Sequence, residues 1–396
     1  VKDRAVLPLR RPGHGSCFEV GRVWTLAWKM LLHDRVKFAV AAAGVSVSVW
    51  LVLVQVGLYY GFMENASTLI DHAQADIWVA GEGNENFDFT APVNERVFYR
   101  VAEAPGVARA ERVLLAFGQF RRFSDGGTLG VEVVGLERGA RLLVPWNVTA
   151  GDARHIADVD GVVVDRGEFP KLRIDRVGAR GEISAVRARV VALTEGIRSF
   201  TTSPFVFTNL ETARAYVRWA QDQIAYVLVK VAPGADVEAV RARLDRLPYV
   251  AAYTKPEFSE RTRSFWSERT GVGTGFFMTA VMGVLVGLVV VGQILYNGTL
   301  EHIREYGTLK AMGVKNGGIV RVILVQAQIS ALVGLVIGGG MAFVARSGMR
   351  GANLFVVLSP TLLVTTVVLT SVMCSLAALL SINKVLKLEP ASVFKG

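Results

Sequence analysis

Four stretches of the sequence, residues 38–60, 276–298, 322–345 and 354–382, contain no Asp, Glu, Lys, Arg or His. A 23-residue helix rises roughly 34 Å, enough to cross a hydrocarbon core with some tilt. One such run fits a helix buried in a soluble protein, but four of them in 396 residues that are 52% hydrophobic exclude an ordinary soluble domain. The sequence predicts an α-helical membrane protein with four transmembrane helices. The first run begins too deep and is too long for a signal peptide, and no small-residue cleavage site follows it, so it is expected to be a retained anchor.

Basic residues in short flanking segments set the expected orientation. Lys2, Arg4, Arg10, Arg11, Arg22, Lys29, Arg35 and Lys37 precede the first span. Arg304, Lys310, Lys315 and Arg321 lie between the second and third, and Lys384, Lys387 and Lys395 follow the fourth. The loop between the last two spans has only Arg346 and Arg350. Both termini are therefore expected in the cytoplasm of a multi-pass membrane protein. The net charge of +10 largely reflects this bias, with anionic membrane lipids as its counterpart and no nucleic acid implied. Cys17 and Cys374 fall in the cytoplasmic arm and the last span, which excludes a disulfide framework.

The expected layout is a cytoplasmic arm (1–37), the first span, an outer domain (61–275), the second span, a cytoplasmic loop (299–321), the third and fourth spans, and a cytoplasmic tail (383–396). The outer segment is too long for a loop and is the size of one or two domains. ADIWVAG, VARAERVLLAFGQF, TLGVEVVGLE, VRARVVALTEG and IAYVLVKVAPG are short, β-branched and turn-bounded, as strands are. Val97, Val101 and Ala104 line one helical face that stops at Pro105 before a strand; Val237, Val240 and Leu244 repeat the pattern before Pro248. A helix–proline–strand unit near each end predicts a large α+β domain. Its split βαβ sheet (61–138 and 223–258) would carry an inserted mostly-β lobe (139–222), with a helical stalk (259–275) continuing the second span outward and Trp266 at the outer interface. Trp24, Trp28, Leu31, Leu32 and Arg35 recur at helical spacing in the N-terminal arm, predicting an amphipathic helix at the cytoplasmic interface.

Catalytic signatures are missing. The sequence has no P-loop, H-E-x-x-H, C-x-x-C or G-x-S-x-G, and its five histidines lack metal-ligand spacing, so a non-enzymatic chain with no cofactor or metal of its own is expected. The run GEGNENFDF, with Glu82, Glu85 and Asp88, lacks the full register of a calcium loop and fits a solvated loop better. The spans hold glutamines and hydroxyls but no ionisable group, which argues against ion-coupled transport. Small residues four apart, Gly44 and Ser48, Gly283 and Gly287, Gly334 and Gly338, predict close helix contacts and a homodimer.

The cytoplasmic stretch EHIREYGTLKAMG carries charges of alternating sign at Glu301, Arg304, Glu305 and Lys310, with Gly307 and Gly313 able to bend and end a short helix. Such a helix is either a solvated connector or a bracket that docks on a soluble partner and moves both adjoining spans. The order of parts, the motif E-x-G-x-L-K-A-x-G and the tail KLEPASVFKG resemble the FtsX and MacB family of ABC transporter permeases. ADIWV soon after the first span, VEVVGLERGARLLVPWNV and SFTTSPFVFTNLETAR are most similar to the DevC-type permeases.

The resemblance implies that Glu305, Gly307, Leu309, Lys310, Ala311 and Gly313, with the flanking Glu301 and Arg304, contact a separate ABC ATPase subunit that binds ATP and Mg. It further implies mechanotransmission to the periplasmic domain, and export of a lipid, glycolipid or other hydrophobic cargo through a periplasmic adaptor (a membrane fusion protein) and an outer-membrane channel. Lipoprotein release, or an FtsX-like signalling scaffold acting on a cell-wall hydrolase, are the alternatives within the family.

Overall fold

A computed structural model of the chain describes residues 28, 35–123, 125–174, 176–201, 203–301, 303–311, 314, 316–351 and 356–386. In chain order the helices are α1 (Arg35–Ala66), α2 (Thr68–His72), α3 (Arg96–Ala102), α4 (Phe169–Leu172), α5 (Leu210–Val217), α6 (Val237–Leu244), α7 (Lys255–Ser264), α8 (Val272–Glu301), α9 (Ile303–Ala311), α10 (Asn316–Gly351) and α11 (Pro360–Leu386). A π-helical segment, Phe265–Arg269, separates α7 from α8. The strands are β1 (Ile77–Gly81), β2 (Val93–Asn94), β3 (Val107–Arg122), β4 (Thr128–Leu136), β5 (Val148–Gly151), β6 (Gly161–Asp165), β7 (Arg180–Ile183), β8 (Val186–Thr194), β9 (Phe205–Asn209), β10 (Gln223–Ile224), β11 (Tyr226–Val231) and β12 (Val250–Thr254). The chain divides into two compact units, one of Val1–Gln55, Thr279–Ala345 and Leu358–Gly396 and one of Val56–Met278 with Arg346–Val357.

In the first unit the four long helices are apolar enough to cross a membrane. Each of the first three extends beyond its uncharged run, because helical hydrogen bonding does not stop where lipid does. The fourth span is corrected at its start: residues 356–359 are not helical and α11 begins at Pro360. A proline disfavours helix in the residue before it but needs no N–H partner in the first turn, and the Ser359 hydroxyl accepts from the Leu362 N–H at 3.2 Å.

The glycine pairs serve contacts within the chain. A methyl group on Gly334 would lie 2.3 Å from a Val45 methyl, one on Gly338 2.4 Å from the Ser46 carbonyl oxygen, and one on Gly287 2.1 Å from Ser48 Oγ; on Gly283 it would meet Leu51 at 3.2 Å. All four glycines therefore face α1 of their own chain, so they do not argue for a homodimer. With no solvent-driven force between helices in lipid, such close approach and a few hydrogen bonds hold the bundle. Ser48 Oγ donates to the Gly283 carbonyl (2.7 Å), and Gln328 on α10 bonds Ser371 and Ser375 on α11 at 2.7–3.1 Å.

The second unit is built on one sheet in the order β12-β1-β11-β3-β4-β9-β6-β8-β5, with β7 bridging β3 and β8; β2 and β10 form a separate pair. The split arrangement holds. β1, from before the insertion, pairs with both β11 and β12 from after it. Val101, Val240 and Leu244 of α3 and α6 cover one face with Ile77 and Val79, while Trp78, Tyr226 and Phe258 form a core on the other. The inserted region is mostly β, as its sequence implies, but it is not set apart from the sheet. β9 pairs in parallel with β4, from Glu132↔Phe205 to Leu136↔Asn209, which satisfies an edge that would otherwise stay open.

The stalk is not one rod. α7 starts with a capping box between Thr254 and Glu257, the helix widens into the π segment, and Gly271 (φ 75°) breaks the path before α8. Three of its arginines reach the domain. Arg263 pairs with Asp71 at 3.0 Å, Arg269 with Glu85 at 2.5 Å, and Arg261 donates to the Asn84 carbonyl at 3.1 Å.

Candidate functional site

The charged stretch after α8 forms the short helix α9, where Tyr306 and Gly307 are buried and Glu305 and Thr308 are exposed. Tyr306 is 2% exposed, among the largest fully enclosed side chains, and its hydroxyl is hydrogen-bonded to Gln326 of α10. Glu301, at the end of α8, forms an ion pair with Lys37 in the first turns of α1. The pair is partly exposed and contributes little energy. Tyr306 matters more, because a buried phenol that is both packed and hydrogen-bonded ties α9 to α10. α9 thus follows α8, whose last residue is tied to α1, and is held to α10 by Tyr306, while Glu305 and Thr308 look outward.

Of the residues expected in this bracket, Glu301, Glu305, Gly307 and Lys310 are placed as stated or on α9, and Arg304, Leu309 and Ala311 lie in the same helix. Gly313 lies outside the described residues, as do Trp24 and Leu31 of the expected interfacial helix and residues 387–396 of the tail. Trp28 is described: it is 45% exposed and packs edge-on against Phe38 with ring centroids 6.4 Å apart. The sequence reading missed Tyr306 as the anchor. Its one available signal was an aromatic residue inside an otherwise charged segment.

A second cluster lies in the outer unit and overturns two expectations. Trp266 does not lie at a lipid interface; it is 9% exposed, and its indole N–H donates to Asp88 Oδ2 at 2.8 Å. Asp88 in turn is 3% exposed and so is not part of a solvated loop. No group of three or more His, Cys, Asp or Glu side chains capable of holding a metal occurs among the described residues. Aromatic contacts extend from Trp266: Phe200 at 4.2 Å and Phe89 at 5.6 Å between centroids, with Phe62 of α1 5.6 Å from Phe200. Asp88 lies beside the wholly buried Glu132 of β4, which accepts from Ser199 Oγ at 2.7 Å. Burial, opposed by hydrogen bonds from Trp266 and others, pushes the Asp88 carboxyl up to about 6; burial, and then the charge of Asp88, raises Glu132 well above the carboxylate range.

The outer unit also has a cleft of about 500 Å³ lined by Leu136, Val144, Pro145, Ile156 and Asn209. The two arginines on its wall, Arg138 and Arg154, pair with Glu211 and Asp152 at 3.1 and 2.7 Å, which leaves the lining mainly apolar.

Residues 38–247 match the family model of the MacB-like periplasmic core domain and residues 277–390 that of the FtsX-like permease C-terminal region. An uncharacterized ABC transporter permease of Mycobacterium bovis is 24% identical over 367 residues, 91% of this chain and 96% of that protein. Another, from Mycobacterium tuberculosis, is 25% identical over 290 residues, 73% of this chain and 76% of its own length. The periplasmic region of MacB from Actinobacillus actinomycetemcomitans superposes with a TM-score of 0.35 at 9% identity, covering 48% of this chain and 94% of that one. The extracellular domain of the noncanonic ABC-type transporter YknZ from Gram-positive bacteria gives 0.33 at 7% identity, covering 45% and 98%.

Proposed function

Because the chain belongs to the ABC transporter permeases that join a MacB-like periplasmic core domain to an FtsX-like membrane region, we propose that it is the non-catalytic membrane subunit of an ATP-driven exporter. A separate ATPase, holding ATP and Mg, docks on the exposed face of α9 and drives it. The observation that carries this reading is the mounting of α9: it follows α8 directly, Glu301 at that junction pairs with Lys37 of α1, and the buried Tyr306 grips Gln326 of α10. A push on Glu305 and Thr308 would therefore pass to α8 and α10, and to α1 only through Glu301, instead of being absorbed by a loose loop.

The absence of Asp, Glu, Lys, Arg and His from the expected spans supports work done outside the bilayer core on a hydrophobic cargo, for which the apolar cleft of the outer unit is a candidate seat. The distribution of Lys and Arg supports cytoplasmic termini and an extracytoplasmic domain. An adaptor and an outer-membrane channel would complete the route, with a second copy of this chain serving a paired ATPase.

The test uses the full chain and its ATPase in lipid nanodiscs. Replacing Glu305 by Arg and Thr308 by Arg together should abolish ATPase association, whereas Tyr306→Ala should leave association within about twofold and reduce permease-stimulated ATP hydrolysis at least tenfold. Unchanged association in the double variant removes α9 as the docking element.

A further inference from the structure

Glu132 Oε2 accepts from Ser199 Oγ at 2.7 Å and from Thr201 Oγ1 at 3.3 Å, but Glu132 Oε1 is buried and has no donor among the described residues. A carboxylate with one bare oxygen in a buried site is costly, and the group beside it is another carboxyl, Asp88. No Lys or Arg bonds either group among the described residues. Arg269 is taken by Glu85 on the exposed rim, Arg261 donates to the Asn84 carbonyl, the Tyr226 hydroxyl of β11 donates to the Phe87 carbonyl at 2.7 Å, and Tyr253 of β12 faces Asn84. Asp88 has Trp266 as its indole donor. Two neighbouring buried carboxyls, with no cation bonded to either among the described residues and with Glu132 Oε1 bare, satisfy their bonding if a hydrogen sits on Glu132 Oε1 and is donated to Asp88.

We propose that Asp88 and Glu132 form a proton-binding site that locks the π segment before α8 onto the outer domain. The closed arrangement holds one proton on Glu132, donated to an Asp88 carboxylate that also accepts from Trp266. When the Trp266 contact opens, water reaches the pair, the Glu132 O–H bond breaks heterolytically, and the proton passes to solvent, leaving two hydrated carboxylates. Closing takes the proton back. The pair thus sits against the π segment that precedes α8 in sequence. Phe200, in the same loop as Ser199 and Thr201, stacks on Trp266, so the loop holds the acid pair and the indole together. The proposal does not depend on the exporter reading.

The experiment is hydrogen–deuterium exchange on the full chain in lipid nanodiscs, following peptides that cover residues 262–272 from pH 6 to 8. Rates are corrected for intrinsic hydroxide catalysis, so that the protection factor reports the opening equilibrium alone. One proton released on opening makes protection fall about tenfold per pH unit. Glu132→Gln should flatten this slope, since Asp88 is then charged in both states over most of the range. Asp88→Asn should reduce it, since the neighbouring charge that helps hold the Glu132 proton is gone. A flat wild-type slope overturns the proposal, as does an unchanged slope in Glu132→Gln. Protection that rises with millimolar calcium or magnesium and ignores pH also overturns it, identifying a cation site instead. The wild-type slope decides the point even if neither variant folds.

Discussion

Three consecutive glycines in α10, Gly338, Gly339 and Gly340, offer a controlled measurement of how the membrane helices are packed. On sequence alone the three are equivalent, and each replacement by alanine should favour the helix by about 1 kcal/mol. In the structure only Gly338 meets α1. Its added methyl would lie 2.4 Å from the Ser46 carbonyl oxygen and 2.9 Å from Val49 Cβ, whereas nothing lies within 4 Å of a methyl at Gly339 or Gly340. The obstructing atom is backbone, so relief requires α1 and α10 to separate by several tenths of an ångström. Overpacking of that kind costs about 1–3 kcal/mol and spreads to the neighbouring Gly334–Val45 contact. Gly338→Ala is therefore expected to destabilise by roughly 1 kcal/mol net, and Gly340→Ala to stabilise by up to about 1, a gap of roughly 2 kcal/mol. Denaturation of the purified full chain in detergent micelles, with helical content followed by circular dichroism, measures this gap. Equal midpoints for the two variants would show that α10 does not rest on α1 through this face.

Two further outcomes can be measured on the outer unit. Thr254→Ala removes one half of the capping box that starts α7 and should cost about 1 kcal/mol, seen as faster amide exchange confined to the first turn of that helix. The Asp88 carboxyl is raised in the folded protein to about 6, so the stability linked to its proton is fully present below its unfolded value and is lost as pH rises through about 6. Asp88→Asn should remove that part of the fall in melting temperature between pH 4 and 7; an undiminished fall would mean that the group titrating there is another one.

The sequence by itself determined the parts that follow from one-dimensional pattern. Four long uncharged runs in one chain point to membrane helices, and the valine periodicities before Pro105 and Pro248 specify α3 and α6 with their buried faces. The pairing of the two ends of the outer domain was legible for the same reason, since each end carried the same helix–proline–strand text. Tertiary structure decided what the polar and small residues are for. Gly334 and Gly338 would read the same at a dimer interface as they do against α1, because a missing side chain announces closeness without naming the neighbour. Tyr306, Trp266, Asp88 and Glu132 stand in segments whose local composition reads as solvent-exposed or interfacial. Their burial depends on partners 20 to about 180 residues away, such as Gln326 for Tyr306 and Trp266 for Asp88, and no local periodicity encodes such distances.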